Sequence, residues 1–168
     1  MVEFSRARRF FAQISYVALS GLVILISLVP IDTFIGRAFP LTLFAITFAT
    51  MLRSPKIVPL GAVALVFLFR DILYFQPIGL EAFLVVAIIY VVRNARRGLG
   101  ETLGKEWGGF AVAVCTLAIL KVILTMALML PPPSLGVMAV SVLATIIIYP
   151  LVTAALAFQF GLRKPIMA

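Results

Sequence analysis

Apolar positions in this chain do not alternate with polar ones; they run together in six long stretches separated by short polar or proline-containing breaks. Runs of that length predict helices surrounded by hydrocarbon, not half-buried strands or one-faced amphipathic helices. The first stretch covers residues 10–29 and stops at Pro30, after which Asp32, Gly36 and Arg37 form a loop. The second, 39–52, opens with Pro40, a residue suited to a first helical turn. The third covers 58–74, and the fourth, 80–92, follows a turn at Gln76, Pro77 and Gly79. A polar segment over 93–106 reads as the longest loop. The fifth stretch, 107–130, is broken by Pro131, Pro132 and Pro133, and the sixth, 135–160, contains Pro150. The expectation is an all-α integral membrane protein, a single domain over residues 1–168 built as a six-transmembrane-helix bundle. Stretches two and four fall short of the roughly 20 residues that cross a bilayer comfortably. Each is expected to be buried among longer neighbours or to be re-entrant, and full spans are preferred.

Composition agrees. The chain is 64% apolar, with a mean hydropathy of +1.21, whereas soluble domains run at roughly 45 to 50% apolar. Arg6, Arg8 and Arg9 ahead of the first stretch resemble the start of a signal peptide, but the stretch exceeds the roughly 7 to 15 residues of such a segment. No small-x-small cleavage site follows, so it reads as the first span. The net charge of +8 would suit nucleic acid if it were gathered on one polar surface, yet it sits in the breaks. Arg53 and Lys56 follow the second stretch, Arg93, Arg96, Arg97 and Lys105 the fourth, and Arg163 and Lys164 the sixth. The alternate breaks hold Arg37, with Arg70 near a helix end and Lys121 inside stretch five. Because positive loops stay on the cytoplasmic side, this alternation predicts cytoplasmic N- and C-termini, lipid as the partner surface and no nucleic acid. The single cysteine, Cys115, excludes an intramolecular disulfide and reads as a small packing residue; histidine is absent.

Charges inside hydrocarbon cost about 3 kcal/mol each even on a mild scale, so they face the bundle interior and find partners. Asp71, Glu81 and Lys121 are the candidates. At 1.5 Å per residue, Asp71 lies about 20 Å along the third stretch, Lys121 about 20 Å along the fifth, and Glu81 roughly 16 Å from the same surface. With Arg70 beside Asp71, a four-residue ionic cluster toward the outer leaflet is expected. Its functional reading is a solute or proton site; its structural reading, which is preferred, is a network that fixes helix register. Ala45 with Ala49, Gly109 with Ala113 and Ala157 with Gly161 carry small residues at four-residue spacing. Such faces serve internal packing or contact with a partner helix, including a second copy of the chain. Pro150 is expected to kink its helix, with Thr145 and neighbouring helices satisfying the freed carbonyl. No nucleophile with a base, metal-ligand spacing or phosphate-cradling loop occurs, which argues against an enzyme, a cofactor or a metal.

Residues 61–83, GAVALVFLFRDILYFQPIGLEAF, resemble the central signature of the rod shape-determining protein MreD family: an aspartate near the end of the third helix and, eight residues later, the glycine of a turn that opens the fourth. Here these are Asp71 and Gly79, with Pro77 and Ile78 before the glycine. Residues 38–60 are similar to the family's short second helix and its basic Arg-x-Pro turn, at Arg53 and Pro55, and Tyr149 with Pro150 matches a Tyr-Pro in the last helix. Phe67 stands where members often carry glycine, and Arg70 where a basic residue is uncommon.

The resemblance implies a non-enzymatic scaffold of the bacterial cell-elongation machinery in the inner membrane. Its partners would be MreC and, with it, the actin-like MreB, the glycosyltransferase RodA and the elongation-specific penicillin-binding transpeptidase, supporting side-wall peptidoglycan synthesis and rod cell shape. It also implies a fold similar to that of the substrate-capture subunits of energy-coupling-factor transporters, so a solute-binding subunit is the alternative. Span one offers Ser15, Ala18 and Gly21 at three-residue spacing in place of the docking pattern common in those subunits. Proton or ion conduction through Asp71, Glu81 and Lys121 is a third option.

Overall fold

A computed structural model of the chain describes residues 6–27, 41–53, 59–99, 103–131 and 134–160. Among the described residues there are six helices and no strand: α1 (Arg6–Ser27), α2 (Thr42–Arg53), α3 (Leu60–Leu73), α4 (Leu80–Leu99), α5 (Leu103–Ala127) and α6 (Leu135–Phe160). The loop around Asp32, Gly36 and Arg37, the turn at Lys56 and the basic end at Arg163 and Lys164 lie outside them.

Helix boundaries depart from the hydropathy boundaries in an instructive way. Most of the expected loop over 93–106 is helical, because α4 continues to Leu99 and α5 begins at Leu103. Loss of hydrophobicity marks the edge of an apolar zone, while arginine and alanine remain good helix formers and only the Gly98–Gly100 region disfavours the helix. Thus α4 has 20 residues and about 30 Å of length, more than the stretch over 80–92 predicts. The short helices are α2, with 12 residues, and α3, with 14, about 18 and 21 Å long.

The burial of α2 accounts for its length. Every side chain from Leu43 to Leu52 is buried, as befits a helix apolar on all sides, and it packs against α1, α4, α5 and α6. Around it α1 packs on α3, α3 on α4, α4 on α5 and α5 on α6. Ala45 and Ala49 are both inside this core, so that small pair serves internal packing. Phe44 and Phe48 of α2 meet Phe110 of α5 and Tyr149 of α6; the Phe110 and Tyr149 rings stack at 3.9 Å, and Phe48 stands edge-on to Phe110 at 5.3 Å. The two buried hydroxyls of α2 are satisfied locally: Thr47 donates to the Leu43 carbonyl at 2.8 Å and Thr50 to that of Ile46 at 2.7 Å. Tyr16 of α1 then donates to Thr47 Oγ1 at 2.9 Å.

The outside of the bundle is apolar as well. Leu65, Phe83, Val112, Ile147 and Leu151 each stand at least two-thirds exposed. Cys115 also faces outward, which corrects its expected packing role. Two segments, Gly104–Ala127 and Leu135–Ala157, are long and apolar enough to cross a membrane.

Helices α3 and α5 end alike. The Gln76 and Phe75 amides donate back to the carbonyls of Asp71 and Ile72, and those of Leu130 and Met129 to Thr125 and Met126, the two bonds of a Schellman stop. The residue in left-handed backbone is usually glycine, yet here it is Phe75 (φ 50°) and Met129 (φ 54°), both almost fully exposed. Phe75→Gly is therefore expected to stabilise the chain by about 1 kcal/mol, and Phe75→Val to destabilise it by a similar amount, because β-branched residues tolerate this region worst. Thermal unfolding in detergent checks both, and equal midpoints for the two variants would contradict the strain.

Candidate functional site: a capped helix joint beside a charged cavity

The turn from α3 to α4 must reverse the chain within a few residues, and Gly79 makes this reversal with φ +87°. A side chain there would be strained although space for a Cβ is open. Gly79 occupies the N-cap position of α4, where a serine, aspartate or asparagine would normally bind the exposed amides. Glycine supplies no such oxygen, and Asp71 supplies it from α3. Its Oδ2 accepts the Gly79 amide at 3.0 Å and the Ala82 amide at 3.4 Å, and the Asp71 side chain is buried. The carboxylate also faces the positive end of the α4 dipole. Pro77 contributes its carbonyl to the Leu80 amide at 3.1 Å, completing the entry to α4.

The expected four-residue ionic cluster divides in two. Asp71 serves the cap, whereas Arg70, Glu81 and Lys121 form a chain of ion pairs. Arg70 Nη1 donates to Glu81 Oε1, and Lys121 Nζ donates to Glu81 Oε2 at 2.8 Å and to Gln76 Oε1 at 3.0 Å. The Arg70 guanidinium also lies 5.2 Å from the centre of the Tyr74 ring. Glu81 is buried, with each oxygen on a different cation, so α3, α4 and α5 are joined at one level.

Arg70, Glu81 and Lys121 line a cavity of about 290 Å³ between the ends of the helices. Its apolar wall includes Phe44, Phe67 and Leu117, and its polar rim includes Gln76, Tyr74 and Ser141.

Pro150 lies inside a continuous α6. The carbonyl its ring leaves without a helical donor is that of Ile146, and it accepts the Trp107 indole N–H at 3.0 Å. Thr145, expected to assist there, does something else: it donates to the Ser141 carbonyl at 2.6 Å and accepts the Leu41 amide at 2.8 Å, capping α2. Next to Pro150, the Tyr149 hydroxyl donates to Glu106 Oε1 at 2.9 Å. Glu106 falls in the segment whose polarity predicts a loop, yet it is a buried carboxylate in the first turn of α5. Trp107 and Glu106 had no motif to mark them, although a tryptophan and a carboxylate at the start of an apolar run, opposite a Tyr-Pro, were the available signal.

Among the described residues, no three His, Cys, Asp or Glu side chains gather as metal ligands. Comparison with protein families, with curated proteins and with solved structures finds no match.

Two results are expected from the joint. Gly79→Ala should cost about 1 to 2 kcal/mol from backbone strain alone. Asp71→Leu should cost more, about 3 kcal/mol, because two amides lose a charged acceptor, and Asp71→Asn should fall between wild type and Asp71→Leu. Unfolding midpoints of purified variants give the order; an unperturbed Asp71→Leu would refute the cap. In the ion chain, Lys121→Met and Glu81→Gln should be non-additive by about 1 to 3 kcal/mol in a double-mutant cycle, and additive effects would deny their coupling.

Proposed function

We propose that this chain is a non-enzymatic membrane scaffold of the MreD type, a six-span protein of a bacterial inner membrane with both termini cytoplasmic. It binds MreC and supports side-wall peptidoglycan synthesis and rod shape together with MreB, RodA and the elongation-specific transpeptidase. One observation carries the proposal: the two residues at the centre of the resemblance, Asp71 and Gly79, are each other's hydrogen-bond partners in a helix joint. The signature thus serves mechanics, as a scaffold requires, with one carboxylate oxygen, Oδ2, held by backbone amides. The outward apolar faces of α3 to α6 support a lipid environment, since water-soluble monomers rarely expose contiguous apolar patches beyond a few hundred Å². The alternation of basic breaks supports the orientation.

Depletion in the source bacterium should give round cells, and the tagged chain should co-purify with MreC from detergent extracts. Rescue by wild type but not by Asp71→Leu, at equal membrane levels, would assign the effect to the joint. Unchanged rod shape on depletion would sink the proposal.

The alternative, a solute-capture subunit, has one observation in its favour: the cavity beside Arg70 and Lys121. A small molecule retained through purification would favour it.

A further inference from the structure

The net charge of the chain lies at one end of the bundle. Of the fourteen Lys and Arg, Arg37, Arg70 and Lys121 belong to the outer side, where Asp32, Asp71 and Glu81 balance them. The remaining eleven meet only Glu3, Glu101 and Glu106 at the other end, so the net +8 lies there in full. Part of it is held on a regular helix. Instead of stopping where its apolar stretch ends, α4 carries Arg93, Arg96 and Arg97 onward to Leu99. Positions three and four apart share a face, so the three arginines form one basic surface, and the only acidic residue of α4, Glu81, is at its far end. The facing turn of α5 adds Lys105 and Glu106, and Glu106 is buried and accepts the Tyr149 hydroxyl. With Glu101 counted as well, residues 93–106 carry four cations against two carboxylates.

The same face of α4 is apolar nearer its start. Tyr90 comes seven residues before Arg97 and Phe83 seven before Tyr90, close to two turns each time, so the three stay in register with Arg93 beside them. Phe83 is 68% exposed and Tyr90 56%, and Arg93 is exposed too. From Phe83 to Arg93 the helix rises about 15 Å, half of the roughly 30 Å hydrocarbon thickness and so the depth of one leaflet. Arg53 offers no such surface, because the α2 side chains that precede it, from Leu43 to Leu52, are buried.

We infer that the α4 face from Phe83 to Arg97 binds a phospholipid with an anionic headgroup, its acyl chains along Phe83 and Tyr90 and its phosphate on Arg93, Arg96 and Arg97. Basic residues clustered where a helix leaves the membrane attract anionic lipid by about 1 kcal/mol each. The Tyr90 ring, apolar with a polar tip, suits the boundary between chain and headgroup. A zwitterionic headgroup would bring its own cation to the arginines, and free phosphate has no hydrocarbon body to lie on the apolar half of the face. The inference rests on the membrane reading of the bundle and not on its role as a scaffold.

The test uses the full chain purified in detergent and supplied with equimolar palmitoyl-oleoyl phosphatidylglycerol and phosphatidylcholine, with native mass spectrometry counting the lipids retained. Phosphatidylglycerol should be retained several-fold over phosphatidylcholine, and excess inorganic phosphate should leave that ratio unchanged. Arg93→Gln combined with Arg97→Gln should bring the ratio to parity. Arg93→Lys with Arg97→Lys should keep most of it, and Arg163→Gln with Lys164→Gln should leave it as in wild type. Parity in the wild type would overturn the inference and leave the membrane reading standing, whereas retention of neither lipid would overturn both. An equal fall in the two Gln pairs would overturn it as well, since the selectivity would then belong to the whole basic end. So would displacement by inorganic phosphate, which would make the face a site for free anions.

Discussion

The architecture depends on one carboxylate bonding across a turn. Four amides at the start of any helix lack partners within that helix, and in a dry bundle they must find acceptors. At α4 the cap position is taken by Gly79, whose positive φ the turn demands, so the acceptor comes from α3. Asp71 therefore fixes the distance and the rotation of α3 against α4, the most extensive helix pairing among the described residues. The adjacent residue, Arg70, then meets Glu81 in the first turn of α4. One backbone reversal thus sets both the cap and the first ion pair.

From that pair the constraint extends to α5. Glu81 bridges Arg70 and Lys121, so three helices share a charge level that none could hold alone. An isolated charge in hydrocarbon costs about 3 kcal/mol on the insertion scale, but one carboxylate between two cations offsets much of that for all three. With Asp71 buried beside Arg70, two carboxylates balance two cations at this level. The polar end of the bundle is accordingly organised around satisfying donors, while α2 below it is held by shape: its ten buried residues bond outward through the Tyr16 hydroxyl and the Thr145 cap of Leu41.

Hydropathy located all six described helices, because apolar runs bounded by proline and glycine leave little alternative. It misplaced their ends where polar residues stay helical, as from Arg93 to Leu99. Counting residues along the helices puts Asp71 and Lys121 at about 20 Å and Glu81 at roughly 16 Å, near enough to form one group, since rise per residue is fixed. It could not separate Asp71 from that group: adjacent residues on a helix point about 100° apart, and which one meets α5 depends on how α3 is rotated by its own cap. The Asp71 and Gly79 spacing was visible as a pattern, but its cause, a cap position that must be glycine, needed the turn geometry. The Ile146 carbonyl freed by Pro150 was foreseen as a problem, whereas its solution by Trp107 was not, because an indole from another helix leaves no periodic trace.

The separation of polar groups along α5 bears on conduction. Glu106 and Lys121 are fifteen residues apart on one helix, about 22 Å, and between their levels lie Phe110, Phe44 and Phe48, packed ring on ring, with Leu117, all four buried. The hydroxyls at that depth on α2, Thr47 and Thr50, donate to carbonyls of their own helix. A proton relay needs groups that can pass a hydrogen bond onward, and a hydroxyl committed to the preceding turn does so only by breaking that bond. Among the described residues, apolar packing therefore fills much of the distance between the two carboxylate sites. That arrangement disfavours conduction through Asp71, Glu81 and Lys121 and favours a bundle whose charged end acts on what lies outside it.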